Sequence, residues 1–482
     1  MTKHSRRDFV KAAASAAGAI ALRPAMSRAE MLEMLGTRLG PRAEPEGWAR
    51  VPGILARIKP PRFPKRDFLL TRYGAVADGT TDCTEAIRRA IEACHAAGGG
   101  RVVATGGVFL TGAVHLRSRV NLHVARGATL RFSRDPKAYL PPVLTRFEGT
   151  ELMNYSPFIY AYDAEDVAVT GSGTLDGQAG DAYWWGWKGS RDHGWKPGDP
   201  DYRNARDRLL ALAETGTPVE KRVFGEGDYL RPNFIQPYRC RNVLIEGVTI
   251  INSPMWEINP VLCTNVIVRH VTISSHGPNN DGCDPESCRD VLIDGCIFDT
   301  GDDCIAIKSG RNADGRRLNV PSENIIVRDC EMRDGHGGVT VGSEISGGTR
   351  YVFVDRCRMD SPRLERALRL KNNAMRGGTL EHIYMRDVVV GEVADAVLQV
   401  DFLYEEGANG PFTPIVRDVE LRRVTSRKSN YALYLRGLDK GIIEDIRVVD
   451  CRFDGVAKPD VVEHVSRLQR LRVTVNRVMV GT

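Results

Sequence analysis

Four short clusters could carry chemistry in this 482-residue chain: Asn279-Asn280-Asp281, Gly301-Asp302-Asp303, Gly335-His336-Gly337 and Arg369-Leu370-Lys371. Gathered into one patch, they would supply three carboxylates, one imidazole and two cations. Carboxylates held close together repel, so one keeps its proton near neutrality while its neighbours stay ionised. That division of protonation states serves acid and base catalysis at a glycosidic bond. Arg as a bidentate fork and Lys as a point charge complement an acidic sugar. Taken singly, an Asp-Asp pair reads as a solvated turn and a Gly-His-Gly as a tight bend. The chemical reading depends on what brings the clusters together.

A repeat does so. It reads NVLIEGVTI from Asn242, NVIVRHVTI from Asn265, DVLIDGCIF from Asp290 and NIIVRDCEM from Asn324. It continues as YVFVDRCRM from Tyr351, HIYMRDVVV from His382, DVELRRVTS from Asp418 and DIRVVDCRF from Asp445, with a degenerate copy at Asp166. Apolar residues alternating at period two mark half-buried strands, and the polar pairs between them mark bends. Spacings of 23, 25, 34, 27, 31, 36 and 27 residues suit coils with loop insertions. This pattern predicts an all-β, single-stranded parallel β-helix. A leucine-rich solenoid would need a regular leucine and asparagine ladder, and a propeller longer blades.

The repeat also sets registers. Asp302 lies 12 residues after Asp290 and His336 lies 12 after Asn324, so the two should occupy equivalent places on adjacent coils. Cys296, Cys330, Cys357 and Cys451 share the seventh position with Val248 and Val271 and should stack inside; Cys240 and Cys263 share another register. A solenoid end needs cover. Asp82-Cys83-Thr84-Glu85, followed by Ala86, Ile87, Ala90, Ile91 and Cys94 at helical spacing and stopped by Gly98-Gly99-Gly100, predicts a capping helix over 82–97.

From about Tyr73 to the C-terminus the chain resembles glycoside hydrolase family 28, the polygalacturonases, and within it the bacterial exo-type branch. The family's NTD, GDD, GHG and RIK motifs correspond to the four clusters, with Asn280 in place of Thr and Leu370 in place of Ile. Neither change removes a charge. The resemblance implies a right-handed β-helix and inverting hydrolysis of α-1,4-galacturonosyl linkages in pectic polysaccharide or oligogalacturonides. It makes Asp302 the general acid, with Asp281 and Asp303 activating water. His336 would hydrogen-bond the acid, and Arg369 and Lys371 would hold the uronate carboxylate. Asn279 and Lys308, in DDCIAIKSG, are further candidates for substrate contact, with a surface lysine as the plainer alternative for Lys308. His276 is another candidate, for which an ordinary loop histidine is the plainer reading. No metal or cofactor is implied.

Around this core, residues 1–29 look like a twin-arginine export signal: Arg6-Arg7, an uncharged run from Ala12 to Leu22, and small residues at Ser27 and Ala29. Residues 30–65 read as an N-terminal extension and 66–482 as the catalytic β-helix. Residues 1–29 carry six cations and one carboxylate, so their removal would take the net charge from +6 to near +1. That balance says nothing about nucleic acid; no nucleic-acid partner is expected, and no membrane association after signal removal. A periplasmic or secreted location follows. Eleven cysteines without a CxxC read as buried free thiols. An insertion at about 178–232 holds Trp184, Trp185, Trp187 and Trp195 with Arg191, Arg203, Arg206 and Arg208. These rings could stack on sugars at a closed end of the cleft, as in exo action, or pack the loop onto the body. Other readings are a hydrolase of rhamnogalacturonan or xylogalacturonan, a calcium-dependent pectate-lyase-like eliminase, and a non-enzymatic polysaccharide-binding β-helix.

Overall fold

The computed structural model describes residues 47–481; the twin-arginine segment lies outside the described residues. Each coil contributes a strand to each of three long parallel faces. The first is a 13-stranded sheet and the second a 14-stranded sheet. The third joins a six-stranded sheet to a three-stranded one through single bridges in register, Ile235 to Ile258 to Cys283 to Ile305 and Tyr238 to Val261 to Glu286 to Lys308. Nine strands of the first sheet are the repeat copies. Four coils are not legible as copies, namely Asp67–Leu69, Gly100–Ala104 and Val120–Val124 at one end and Val465–Leu471 at the other.

The first residue of each copy explains why the repeat begins with Asn or Asp so often. Asp166, Asn242, Asn265, Asp290 and Asn324 all adopt left-handed backbone, with φ between 54° and 59°, which Asn and Asp tolerate best among non-glycine residues. Their side chains link coils: Asn242 Nδ2 donates to Asp166 Oδ1 at 2.8 Å and Asn265 Nδ2 to Asn242 Oδ1 at 2.8 Å. Farther along, Tyr351 and His382 replace that ladder by ring stacking at 4.6 Å.

Inside, the apolar positions of all three faces form one continuous core. The seventh-position cysteines are buried there, and all eleven thiols are free. Cys240, Cys263 and Cys288 form a second stack in which the amide of Cys240 donates to Cys263 Sγ and that of Cys263 to Cys288 Sγ, each at 3.4 Å. The capping helix spans Thr84–Ala96 and buries Ala86, Ile87, Ala90, Ile91 and Cys94 against the N-terminal coils. Its N-terminus differs from the expected capping box. Asp82 Oδ1 accepts from the Thr84 amide at 2.9 Å and the Thr84 hydroxyl at 2.6 Å, while Glu85 instead pairs with Arg88.

The extension, described from Gly47, covers the outer side of the first sheet. Trp48, Ile54 and Ile58 pack on Ala168, Leu244, Ile267, Leu292, Ile326 and Phe353, the outward apolar positions of six successive copies. Each such side chain contributes about 1.5–3 kcal/mol by leaving water. Among the described residues no helix is long and apolar enough to cross a membrane.

Candidate active site

The turns joining the second face to the third carry Asp281, Asp302, Asp303 and His336, and backbone hydrogen bonds stack them. The Asp302 amide donates to Asn280 O at 3.2 Å, and the His336 amide to Asp302 O at 3.1 Å. Gly335 permits this approach: its φ is 141°, and a Cβ there would sit 2.4 Å from Asp302 O. At Gly301 the requirement is space, because a Cβ would lie 2.4 Å from Gly277 O. Asn280 is fully buried and pins the first turn. Its Oδ1 accepts from Ser275 Oγ at 2.6 Å and the Gly277 amide at 2.8 Å, while its Nδ2 donates to Ser253 O and Met255 O.

As a result, one carboxylate oxygen from each of Asp281, Asp302 and Asp303 lies within 4.8 Å of the other two. The third sheet supplies the cations. In Arg366–Lys371 the even-numbered Leu368 and Leu370 point into the core, so Arg369 and Lys371 point out. Lys371 Nζ donates to Asp303 Oδ2 at 2.8 Å, and Arg369 Nη1 reaches Asp303 Oδ1 at 3.4 Å, an oxygen that also accepts from Thr340 Oγ1 at 2.8 Å. Asp302 Oδ1 accepts from the Asp303 amide at 3.0 Å and pairs with His336 Nδ1 at 2.9 Å.

These surroundings push the carboxylates apart. Burial, then the neighbouring Asp302, raises Asp281 to about 8. Burial opposes ionisation of Asp303 too, but Lys371 and Arg369 outweigh it and hold that carboxyl well below the usual range. For Asp302, burial is likewise overcome, by the His336 hydrogen bond, and the net direction is downward. The same bond to Asp302 raises His336 to about 9. The resting triad therefore keeps its proton on Asp281. The family resemblance makes Asp302 the acid, whereas burial raises Asp281 and the His336 bond lowers Asp302.

Two candidates for substrate contact are placed differently from expectation. Lys308 is not a surface lysine: its side chain is 3% exposed, enclosed by Asp281 at 3.5 Å, Asp284 at 3.6 Å, Glu344 at 3.3 Å and the Trp256 ring at 4.3 Å. His276 pairs through Nε2 with Asp299 at 3.1 Å and faces Asp334 at 3.7 Å, a cluster separate from the triad. Asn279, at φ 56°, accepts through Oδ1 from Arg231 Nη2 at 2.8 Å.

Arg231, Asp284 and Glu344 were not singled out from sequence, nor was Tyr404, whose ring lies 5.2 Å from Lys371 Nζ. Arg231 is buried, anchors Pro254 O and Pro278 O, and is lowered to about 10 by burial. Its only sequence signal is a charge inside the aromatic insertion. In that insertion Trp184 and Trp187 pack with Tyr139, Phe158, Tyr155 and Tyr229. Trp185 lies on the turn before Asp281: its Nε1 donates to Ser253 O at 2.8 Å, and a Cβ on Gly277 would strike the indole. Trp195 lies under Arg203.

A right-handed β-helix with carboxylates gathered on one turn line and cations from the next face is the architecture of a glycoside hydrolase. A family profile described as "Glycosyl hydrolases family 28" matches residues 225–469, and the chain belongs to that family. Among solved structures it is similar to a hyperthermoactive exopolygalacturonase from Thermotoga maritima, at 48% identity and TM-score 0.87, covering 90% of this chain and 96% of the other. A probable polygalacturonase of Vitis vinifera is 27% identical over 77% of this chain and 70% of its own length. An exo-poly-alpha-D-galacturonosidase of Dickeya chrysanthemi is 28% identical over 76% of this chain and 64% of its own length.

Proposed function

We propose that this enzyme hydrolyses α-1,4-galacturonosyl linkages in unesterified pectic chains or oligogalacturonides, releasing short products from a chain end. The observation that carries the chemistry is three carboxylates within 4.8 Å, with Lys371 and Arg369 bonded to one of them. Exo action is supported by the named relatives and by the insertion, which Trp185 fixes against the turn preceding Asp281.

In the catalytic cycle the triad holds the same number of protons in its resting and productive forms. A proton moves from Asp281 to Asp302, where it is delivered to the glycosidic oxygen. Asp281 and Asp303 then take up the proton of the attacking water, and His336 steadies Asp302 in both states. Arg369 and Lys371 bind the uronate carboxylate, giving up part of their hold on Asp303. Because the groups are close, they titrate as a unit.

The products of a short time course on oligogalacturonides test this reading. Monomer or dimer from the outset supports it; early mid-length products refute exo action, and ultraviolet-absorbing unsaturated products lost on calcium chelation would establish an eliminase instead. The nearest oxygens are closer than the roughly 6.5–9.5 Å usual for inverting pairs, so the anomer formed first needs direct observation by NMR. Inversion gives the β product. It is supported by Asp303, whose two oxygens are both engaged by Lys371, Arg369 and Thr340. A first-formed α product would make one carboxylate a nucleophile.

We further propose export through residues 1–29, supported by their sequence and by the eleven free thiols, which suit folding in a reducing compartment before translocation. Replacing Arg6-Arg7 by Lys-Lys should retain the protein inside the cell.

A further inference from the structure

Six ionisable groups, alternately basic and acidic, run from the insertion to the triad. Arg206, on the insertion helix Arg203–Glu214, donates through Nε to Glu148 at 2.6 Å. Glu148 meets Arg311 at 3.4 Å, Arg311 meets Glu344 at 3.5 Å, Glu344 meets Lys308 at 3.3 Å and Lys308 meets Asp281 at 3.5 Å. All but Arg206 have side chains less than a tenth exposed. Charges taken out of water are screened weakly, so a change at one member is felt along the row.

We infer that this row is a positioning and tuning device, in which Lys308, shared between Glu344 and Asp281 and biased by Arg206 of the insertion, sets how readily Asp281 gives its proton to Asp302. The inference rests on the proposed hydrolytic reading and adds residues that act without touching substrate. Lys308 is the member through which the row meets the triad, at 3.5 Å from Asp281. Its cation has three carboxylates to serve, and they are not equivalent. Burial pushes Asp284 well above its usual range. Burial also disfavours the charge on Glu344, but Lys308 and Arg311 override it and hold that group ionised. Glu344 therefore competes with Asp281 for Lys308, and Arg311 moderates the competition. Asp281 is faced as well by Asp302, Asp303 and Lys371, and it adjoins Glu257 and Arg231. Arg231 also belongs to the insertion, but it meets the turn of Asn279 directly, whereas the row reaches Asp281 through Lys308.

The signs of two remote substitutions separate this device from ordinary structural damage. R206M removes a positive charge from the row, so Asp281 should hold its proton more tightly; E148Q removes a negative charge and should loosen it. The pH profile of kcat on a defined oligogalacturonide is the readout. The limb near pH 8 should move up in R206M and down in E148Q, each by a few tenths of a unit, with KM within about twofold. K308M should move it up by about one unit and lower kcat about tenfold. Shifts of the same sign in R206M and E148Q, or none, overturn the inference. A rise in KM alone in K308M would make Lys308 a substrate contact.

A substrate-free measurement keeps the question open to test if turnover on galacturonide fails, an outcome that would sink the functional reading alone. Because the folded-state value of Asp281 is raised, the native protein binds the extra proton, and stability falls as pH rises from the ordinary carboxylate range towards about 8. The upper edge of that decline in Tm should shift up in R206M and down in E148Q. Should K308M fail to fold, these two variants decide the matter.

Discussion

Of two histidine–aspartate pairs that share the coil of Asp290, each reaching to a neighbouring coil, only one belongs to the candidate active site. His336 meets Asp302 at 2.9 Å; His276 meets Asp299 at 3.1 Å. Both rings are nearly half exposed, at 47% and 44%. Both are raised by the hydrogen bond to their aspartate. What differs is the company. Asp302 has Asp281 and Asp303 beside it and the cations of the third sheet behind them. Asp299 has Asp334, itself tied to Arg363 at 2.6 Å. An imidazole–carboxylate pair is common chemistry, and it becomes a candidate acid only where further carboxylates compete for its proton.

Substitutions can break that contrast. Asp302→Asn should cost about 10³-fold in kcat, since it removes the proton donor while retaining shape. His336→Ala should cost about 10²-fold and narrow the pH range of activity, because Asp302 loses its partner. The His336 pair also stabilises the fold, fully below the unfolded histidine value near 6.5. That contribution fades as pH rises through about 9, so the Tm gap between wild type and His336→Ala should close over this window. His276→Ala should change kcat by less than about twofold, while its Tm should fall at pH 6 and approach wild type in alkali, the sign expected of a raised histidine. A large kcat loss in His276→Ala would erase the distinction between the pairs.

Much of the fold was legible because burial enforces period-two alternation at every copy, and the equal 12-residue offsets of Asp302 and His336 became a direct side-chain contact. The terminal coils escaped notice because coils at an end face a cap or solvent and need no Asn ladder. The surface-lysine reading of Lys308 fails for a reason of scale: local alternation places it on the outward side of its strand, but that side is itself roofed by Glu344, Asp284 and Trp256 from other coils. Glu344 and Arg311 gave no signal, and Arg231 only its place in the insertion, since a buried charge looks like a surface charge until its partners, far away in sequence, are known. The insertion's tryptophans divided between roles that sequence could only pose as alternatives, with Trp184 and Trp187 packing the loop and Trp185 bracing the turn before Asp281.

The stacked thiols have a use beyond packing. With eleven cysteines sealed in one continuous interior and amides of adjacent rungs bonded to Cys263 and Cys288, a bulky alkylating reagent finds no foothold until the spiral opens. The rate at which label accumulates then clocks unravelling of the solenoid, and the order in which peptides acquire it reveals the end from which it peels.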